Sequence, residues 1–122
     1  MLLILLLAYG AASLFHHVHN AEFLDEYPNM PAWLSPAGVY AAWLGVTLVG
    51  FAGYLLFHRG LRFAGLLAIA VYGTLGLDGL AHYSLAPASA HTFMMNLTIW
   101  IEVATAAMLL IAVAGLLVRR LD

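Results

Sequence analysis

The chain contains no cysteine and no lysine, and its only basic residues apart from histidine are four arginines. Without cysteine it cannot form disulfides, thiolate metal sites, iron–sulfur clusters or a thiol nucleophile. Its formal net charge is −2 at pH 7, so it also lacks the basic footprint that nucleic-acid binding requires. We therefore expect no nucleic-acid partner.

Charged residues of either sign are scarce. They make up 8% of the 122 residues, whereas hydrophobic residues make up 65%, and the mean hydropathy is +0.97. A soluble domain is about half apolar and about a quarter charged. A 13.2 kDa domain leaves too much surface exposed to bury such an excess. The composition predicts a single integral membrane domain over residues 1–122, with the lipid bilayer as its surroundings.

Four apolar runs predict four membrane-spanning helices, at about residues 1–18, 36–57, 61–83 and 92–118. A crossing of the hydrocarbon core needs about 20 apolar residues, and the last three runs meet this length. The first is slightly shorter but lacks the basic residues typical of a secretion signal, so we interpret it as a helix too. No segment alternates apolar and polar residues as a half-buried strand does. We predict an all-α, four-transmembrane-helix bundle.

The arginines predict the orientation of this bundle. Arg59 and Arg62 flank the turn between the second and third runs, and Arg119 and Arg120 end the fourth. Positive charge near helix ends marks the cytoplasmic side. Both termini are therefore predicted to be cytoplasmic, and loops 20–35 and 84–91 to lie on the opposite side. We call that side the outer end, and expect a bacterial inner (cytoplasmic) membrane.

Glycines inside the predicted spans indicate where helices approach each other closely. Small residues at membrane helix interfaces let backbones come together. We expect this role for glycines of the second and third spans, namely Gly45, Gly50, Gly53, Gly65 and Gly76.

Five of the six histidines fall at the predicted outer end. His16, His17 and His19 close the first span, His82 lies near the end of the third with Asp78 four residues before it, and His91 precedes the fourth. Only His58 lies at the arginine end.

Helical spacing gives each span one polar stripe, because residues three or four apart share a helix face. Ionisable groups facing lipid are costly, so we expect these stripes, Asp78 and Glu102 included, to face the bundle interior and to have partners. The stripes comprise Tyr9, Ser13, His16 or His17, and Asn20 in the first span, Thr74, Asp78 and His82 in the third, and His91, Met95, Thr98, Glu102 and Thr105 in the fourth.

The first functional hypothesis is a transition-metal site. Imidazole and carboxylate ligands together suit zinc, copper, iron or nickel, and nearby methionines favour copper. Asp78, His82 and His91 supply a possible set, which His16 or His19 would complete. We expect copper or zinc, serving catalysis on a lipophilic substrate or metal handling.

The spacing Asp78-x-x-x-His82, followed by His91, is locally similar to the Asp-x-x-x-His…His copper ligands in the membrane subunit of particulate methane and ammonia monooxygenases. The similarity covers fourteen residues, and the interval between the two histidines is shorter than in that family. It implies a set of side chains capable of holding copper.

Glu102 lies about ten residues into the fourth span, near the predicted middle of the bilayer. One interpretation is a catalytic residue that transfers protons or orients the ligands of the metal site. The other is a protonated glutamic acid hydrogen-bonded to Thr47 or Thr74, stabilising helix association.

Three other hypotheses remain open. His16, His17 or His19 opposite His82 would hold a b-type haem, because haem iron accepts histidine axial ligands. The outer histidines would alternatively be interfacial groups that bind headgroups and water. In the third hypothesis, the chain is an accessory subunit of a larger membrane complex, or it forms a homo-oligomer. The docking surface would be the helix face that carries Gly45, Gly50 and Gly53.

Overall fold

A computed structural model describes the backbone of residues 1–121 and the side chains of residues 1–119. The described part is helical, with no strand. Its α-helices are α1 (Leu2–Glu22), α2 (Pro36–His58), α3 (Arg62–Leu75), α4 (His82–Leu85) and α5 (Phe93–Leu121). Short 3₁₀ segments occupy Leu24–Glu26, Gly76–Ala81 and Ala88–Ala90. The Arg120 side chain, part of the charge pattern used above, lies outside the described side chains.

Local sequence explains where the helices begin and end. Ser35 caps α2, because its Oγ accepts the backbone N–H of Gly38 at 3.1 Å, and Pro36 fits the first helical position. Thr92 caps α5 in the same way, accepting the N–H of Met95 at 3.2 Å. Gly60 adopts a φ of +90° in the turn after α2, a conformation that favours glycine.

Four helices are long and apolar enough to cross a bilayer, as the sequence predicts. They are Leu2–Glu22, Pro36–His58, Arg62–Leu85 and Phe93–Arg119. The first is four residues longer at its outer end than predicted. The third is not a continuous α-helix, because α3 passes at Gly76 into the 3₁₀ segment before α4. This change of helix type alters which side chains share a face.

Glycines form the contact between α2 and α3, as predicted. A Cβ built on Gly65 would lie 2.5 Å from the Phe57 backbone nitrogen and 2.7 Å from the Gly53 carbonyl oxygen. A Cβ on Gly50 would lie 2.6–2.8 Å from the Tyr72 ring. Gly45 differs, since a Cβ there meets nothing within 4 Å. It lies on an open face of α2.

The main apolar core lies along the middle of the bundle, where α1, α3 and α5 meet. Its buried members are Leu6, Tyr9, Leu66, Ile69, Tyr72, Ala106, Leu109 and Val113. A smaller cluster of Ala21, Leu24 and Val39 packs at the outer end against the 23–35 loop. Between the two lie most of the polar side chains that the sequence marks as functional.

The α2–α3 contact predicts a position-specific effect of adding one methyl group. We expect Gly65→Ala to lower the free energy of unfolding by about 1–3 kcal/mol, because the new Cβ meets rigid backbone atoms. Gly45→Ala is the matched control and should leave it nearly unchanged. Denaturation in mild detergent, followed by circular dichroism, measures both. Equal effects of the two substitutions would contradict the packing described.

Candidate functional site

Polar side chains form a buried cluster near the outer ends of α1 and α5. The stripes predicted for these helices are confirmed as far as Glu102, since their polar members each have less than 9% of their surface exposed. The cluster contains Ser13, His16, Asn20, His82, His91, Thr98 and Glu102, with His17 and Tyr27 alongside.

The Glu102 carboxylate lies between two imidazoles of α1. Its Oε2 is 3.7 Å from His16 Nε2, and its Oε1 is 3.7 Å from His17 Nδ1. The side chain is 2% exposed and makes no hydrogen bond to Thr47 or Thr74 among the described residues. Gly79 allows the close approach, because a Cβ there would lie 3.3 Å from Oε2. Glu102 therefore belongs to the histidine cluster, a partnership that the sequence analysis did not anticipate.

The tautomer of His16 follows from its hydrogen bonds. The Thr98 hydroxyl donates to the Met95 carbonyl at 3.0 Å. It is then free only to accept, so the 3.2 Å contact with His16 Nδ1 requires Nδ1–H to be the donor. A neutral imidazole protonated on Nδ1 has its lone pair on Nε2. That lone pair faces the Glu102 carboxylate.

His17 is held differently. Its Nδ1 lies 2.9 Å from the backbone carbonyl of Ser13 one turn earlier. A carbonyl only accepts, so Nδ1 of His17 carries the proton. The same N–H lies 3.7 Å from Glu102 Oε1. His17 therefore lies beside the carboxylate without a hydrogen bond to it, whereas His16 faces it with a lone pair.

His82 lies next to His16 across the bundle. Their ring centroids are 5.3 Å apart in an edge-to-face arrangement. The Asn20 side-chain nitrogen lies 3.1 Å from His82 Nε2, so the amide donates and Nε2 accepts. Asn20 Oδ1 is buried and has no partner among the described residues. The predicted contact between the histidines of the first and third spans is thus formed by His16.

His91 extends the row of imidazoles outward. Its ring centroid lies 6.1 Å from that of His82. Its Nδ1–H donates to the Pro87 carbonyl at 3.0 Å, which leaves a lone pair on Nε2. That nitrogen is buried and has no partner among the described residues. His91 therefore carries an unused ligand atom within the cluster.

Asn96 fixes the loop that carries His91. Its side-chain nitrogen lies 3.0–3.3 Å from three backbone carbonyls, those of Ala88, His91 and Thr92. Its oxygen accepts the Tyr83 hydroxyl at 2.7 Å. These contacts hold residues 88–92 against the start of α5. The sequence pattern does not mark Asn96 as functional, although an asparagine in the first turn of a helix is well placed to bind loop carbonyls.

Tyr27 covers the outer side of the histidine row. It belongs to the 23–35 loop, yet it is only 3% exposed, and its hydroxyl lies 2.9 Å from His19 Nδ1. Its ring centroid is 5.0 Å from that of His82. Burial raises the pKa of the Tyr27 phenol to about 12. His19 thus binds the covering loop rather than the other imidazoles of the cluster.

Asp78 is exposed although it lines the cavity described below, so the expectation that it has a bonded partner inside the bundle is not met among the described residues. Among the described residues it forms no ion pair or hydrogen bond with His82. Its position in a 3₁₀ segment explains this, since three residues per turn place side chains four apart on different faces. Thr74 of the same predicted stripe is also exposed, and its hydroxyl donates to the Ala70 carbonyl.

A cavity of about 320 Å³ adjoins the cluster. We call it the polar cavity. It is lined on one side by His16, His17, Asn20, His82 and Glu102, with Asp78 among the other lining residues. Met30, Pro31 and Leu34 of the 23–35 loop also line it, so it extends beneath that loop.

Within the described residues, no group of three histidine, aspartate or glutamate side chains is arranged to hold a metal ion. Two ligand atoms, His16 Nε2 and a Glu102 oxygen, face each other, and His82 adjoins them. A haem between His16 and His82 would require their rings to separate, because edge contact at 5.3 Å leaves no space for a macrocycle.

No protein-family model, curated protein or solved structure matches this chain.

The tautomer of His16 can be tested directly. In ¹⁵N-histidine NMR spectra we expect Nδ1 of His16 to be protonated and Nε2 unprotonated. Thr98→Val removes the acceptor of the Nδ1–H bond and should shift the tautomer toward Nε2–H, with a loss of about 1 kcal/mol in unfolding free energy. Thr105→Val, which removes a hydroxyl bonded to backbone carbonyls, is the control. A wild-type spectrum with Nε2 of His16 protonated would exclude the tautomer assignment, and an unchanged spectrum in Thr98→Val would exclude Thr98 as the group that fixes it.

Proposed function

We propose that the chain is a membrane protein that binds a transition-metal ion, zinc or copper, in the buried cluster. The proposed ligands are His16 Nε2, the Glu102 carboxylate and His82, which among the described residues are not arranged as a three-ligand site and would have to move together to bind the ion. The observation that carries the proposal is the lone pair of His16 facing a buried carboxylate at 3.7 Å. Two acceptors in this position repel each other unless a cation or a shared proton lies between them.

The distances in the cluster support a metal ion over a shared proton. A shared proton would draw the two atoms to hydrogen-bonding distance, below about 3.2 Å. A metal ion about 2.1 Å from each would hold them about 3.4 Å apart at a tetrahedral angle. The observed 3.7 Å needs to shorten by only a few tenths of an ångström.

The separation of His16 and His82 supports the third ligand. Two imidazoles bound to one tetrahedral ion at about 2.1 Å have ring centroids about 5 Å apart, and these rings are 5.3 Å apart. His82 Nε2 accepts a hydrogen bond from Asn20. Binding through this nitrogen therefore requires the Asn20 amide to turn away, which would give Asn20 Oδ1 a new environment.

The surroundings of the proposed ligands resemble the supports of known metal sites. Metal-binding histidines donate their other ring N–H to a carbonyl, carboxylate or water, which fixes their orientation. Thr98 takes this role for His16. His17, whose Nδ1–H is held by the Ser13 carbonyl, packs against the other Glu102 oxygen at 3.7 Å. Thr98 and His17 are positioning residues in this proposal.

His91 and Asp78 would serve the route to the site. His91 Nε2 is an unused ligand atom beside His82, and Asp78 is an exposed carboxylate lining the polar cavity. A cation arriving from the outer end would pass these groups before reaching Glu102. His19, bound to Tyr27, would act on the covering loop.

Two histidines and one glutamate leave a tetrahedral ion with one open position, as in catalytic zinc sites. All three proposed ligands line the polar cavity. An ion held there would polarise a substrate group or a water molecule entering the cavity. We therefore favour catalysis on a lipophilic substrate over simple metal storage.

The metal proposal is tested by elemental analysis of protein purified in mild detergent without chelator or nickel resin. We expect about one zinc or copper per chain, lost in Glu102→Gln and His16→Gln. Thr98→Val, which retains every ligand, should weaken binding about 10–100-fold. His58→Ala, at the other end of α2, is the control and should bind normally.

Three other results would contradict the metal proposal, each in a different way. Folded wild-type protein that takes up neither metal would exclude it. A Soret absorption band would replace the metal ion with the haem alternative. Metal-free protein that co-purifies with a larger membrane partner would favour an accessory subunit.

The membrane placement belongs to the same proposal. We propose that both termini are cytoplasmic and that the histidine cluster lies near the periplasmic side of a bacterial inner membrane, because Arg59, Arg62 and Arg119 all lie at the opposite ends of the helices. Since the chain has no cysteine, single cysteines can be introduced cleanly. In intact cells, an impermeant maleimide should label Ser89→Cys and not Leu61→Cys, which lies in the exposed turn after α2, and the reverse pattern would invert the orientation.

A further inference from the structure

A second cavity, of about 410 Å³, lies between α1 and α2. We call it the apolar groove. Its volume falls in the range of about 300–1,000 Å³ typical of small-molecule pockets. Three of its lining residues are also exposed on the surface of the helix bundle, namely Leu3, Leu7 and Phe51. In the proposed membrane placement, the groove opens to lipid.

Two polar atoms in the walls of the groove lack hydrogen-bond partners among the described residues. They are Trp43 Nε1, a donor, and Thr47 Oγ1, a donor and acceptor. Buried polar atoms without partners are rare and costly, and water does not compensate them in hydrocarbon. The two residues are four apart on α2 and therefore share a face. A ligand with hydrogen-bond acceptors would satisfy both.

Aromatic rings form much of the remaining wall. Phe51, Tyr54 and Tyr72 line the groove together with Trp43. The space beside Gly10 is open, since a Cβ built there would meet only the Tyr72 hydroxyl, at 3.5 Å. Flat rings with a few polar atoms between them suit a flat ligand head that carries oxygen atoms.

The depth of Trp43 Nε1 and Thr47 Oγ1 in the bilayer indicates which class of lipophilic ligand fits the groove. Thr47 lies eleven residues after Pro36, which is about 16 Å along a helix and close to half the thickness of a hydrocarbon core of about 30 Å. Phospholipid ester carbonyls lie at the interface, and acyl chains carry no acceptor at this depth. A molecule with carbonyl groups on a head that enters the hydrocarbon is needed.

We propose that the apolar groove binds a quinone, a flat ring with carbonyl acceptors and an apolar tail, with Trp43 Nε1–H and the Thr47 hydroxyl as its hydrogen-bond donors. The proposal rests on the membrane placement proposed above and is independent of the metal site. Both polar atoms are shielded by neighbouring side chains, so the indole turns toward the ligand when it binds. Tyr72 packs against Tyr9 of the polar cavity with the rings tilted by 50° and their centroids 4.5 Å apart, so the two cavities share a wall.

Tryptophan fluorescence tests this proposal. The chain has three tryptophans, so Trp33→Phe with Trp100→Phe leaves Trp43 as the only emitter. In nanodiscs, a benzoquinone with a decyl tail should quench Trp43 saturably. The protein retaining only Trp100, which is exposed on α5, controls for partition of the quinone into lipid and should show unsaturated quenching.

Substitutions in the protein that retains only Trp43 locate the site. Thr47→Val should weaken quinone binding about tenfold, the loss of about one hydrogen bond. Gly10→Leu should abolish saturation by filling the groove, whereas Gly45→Leu, on the open face of α2, should bind as the parent does. Circular dichroism confirms that each variant is folded.

Two results would overturn the proposal. Equal, unsaturated quenching of Trp43 and Trp100 would mean that the quinone only partitions into lipid. If phospholipids with brominated acyl chains quench Trp43 in a Gly10-dependent manner and the quinone does not displace them, the groove holds a lipid chain instead. If Glu102→Gln loses metal binding and still binds the quinone, the quinone proposal stands or fails independently of the metal proposal.

Discussion

The burial of the Glu102 carboxyl is the constraint on which the outer half of the bundle depends. A carboxyl group this deep in an apolar bundle is stable only if the surrounding side chains supply hydrogen bonds or charge. His16 and His17 approach its two oxygens from α1, and Gly79 leaves room for it from the third span. Thr98 and Asn20 in turn orient the imidazoles. Three of the four spans are therefore fixed at this level by one side chain.

The sequence predicts the helices and two of the polar stripes well, because hydrophobic length and a period of 3.6 residues are local properties. The pairing of Glu102 with His16 depends instead on the relative height of α1 and α5. Because α1 continues to Glu22, His16 lies about 9 Å below its outer end, at six residues of 1.5 Å each. The position of Asp78 was missed for another reason. An α-helical period was applied to a segment that forms a 3₁₀ helix.

Glycine links the packing of the bundle to its cavities. At Gly53 and Gly65 the absence of a side chain brings α2 and α3 into backbone contact. At Gly76, whose Cβ would lie 2.5 Å from the Tyr9 ring, it admits a tyrosine that separates the polar cavity from the apolar groove. Sequence reasoning predicts the close contacts. It does not distinguish a glycine that admits a backbone from one that admits a functional side chain.

The ring of Tyr27 affects how fast a ligand enters and leaves the cluster, and it does not affect how tightly the ligand binds. It lies over His82, within 6.5 Å of the His91 ring, and its hydroxyl is held by His19. On the side that Tyr27 covers, a ligand reaches the imidazoles only after it displaces this buried aromatic side chain. The barrier to this displacement slows entry and departure by the same factor, so it leaves the equilibrium unchanged. Occupancy of the cluster would consequently persist through brief changes in the surrounding solution.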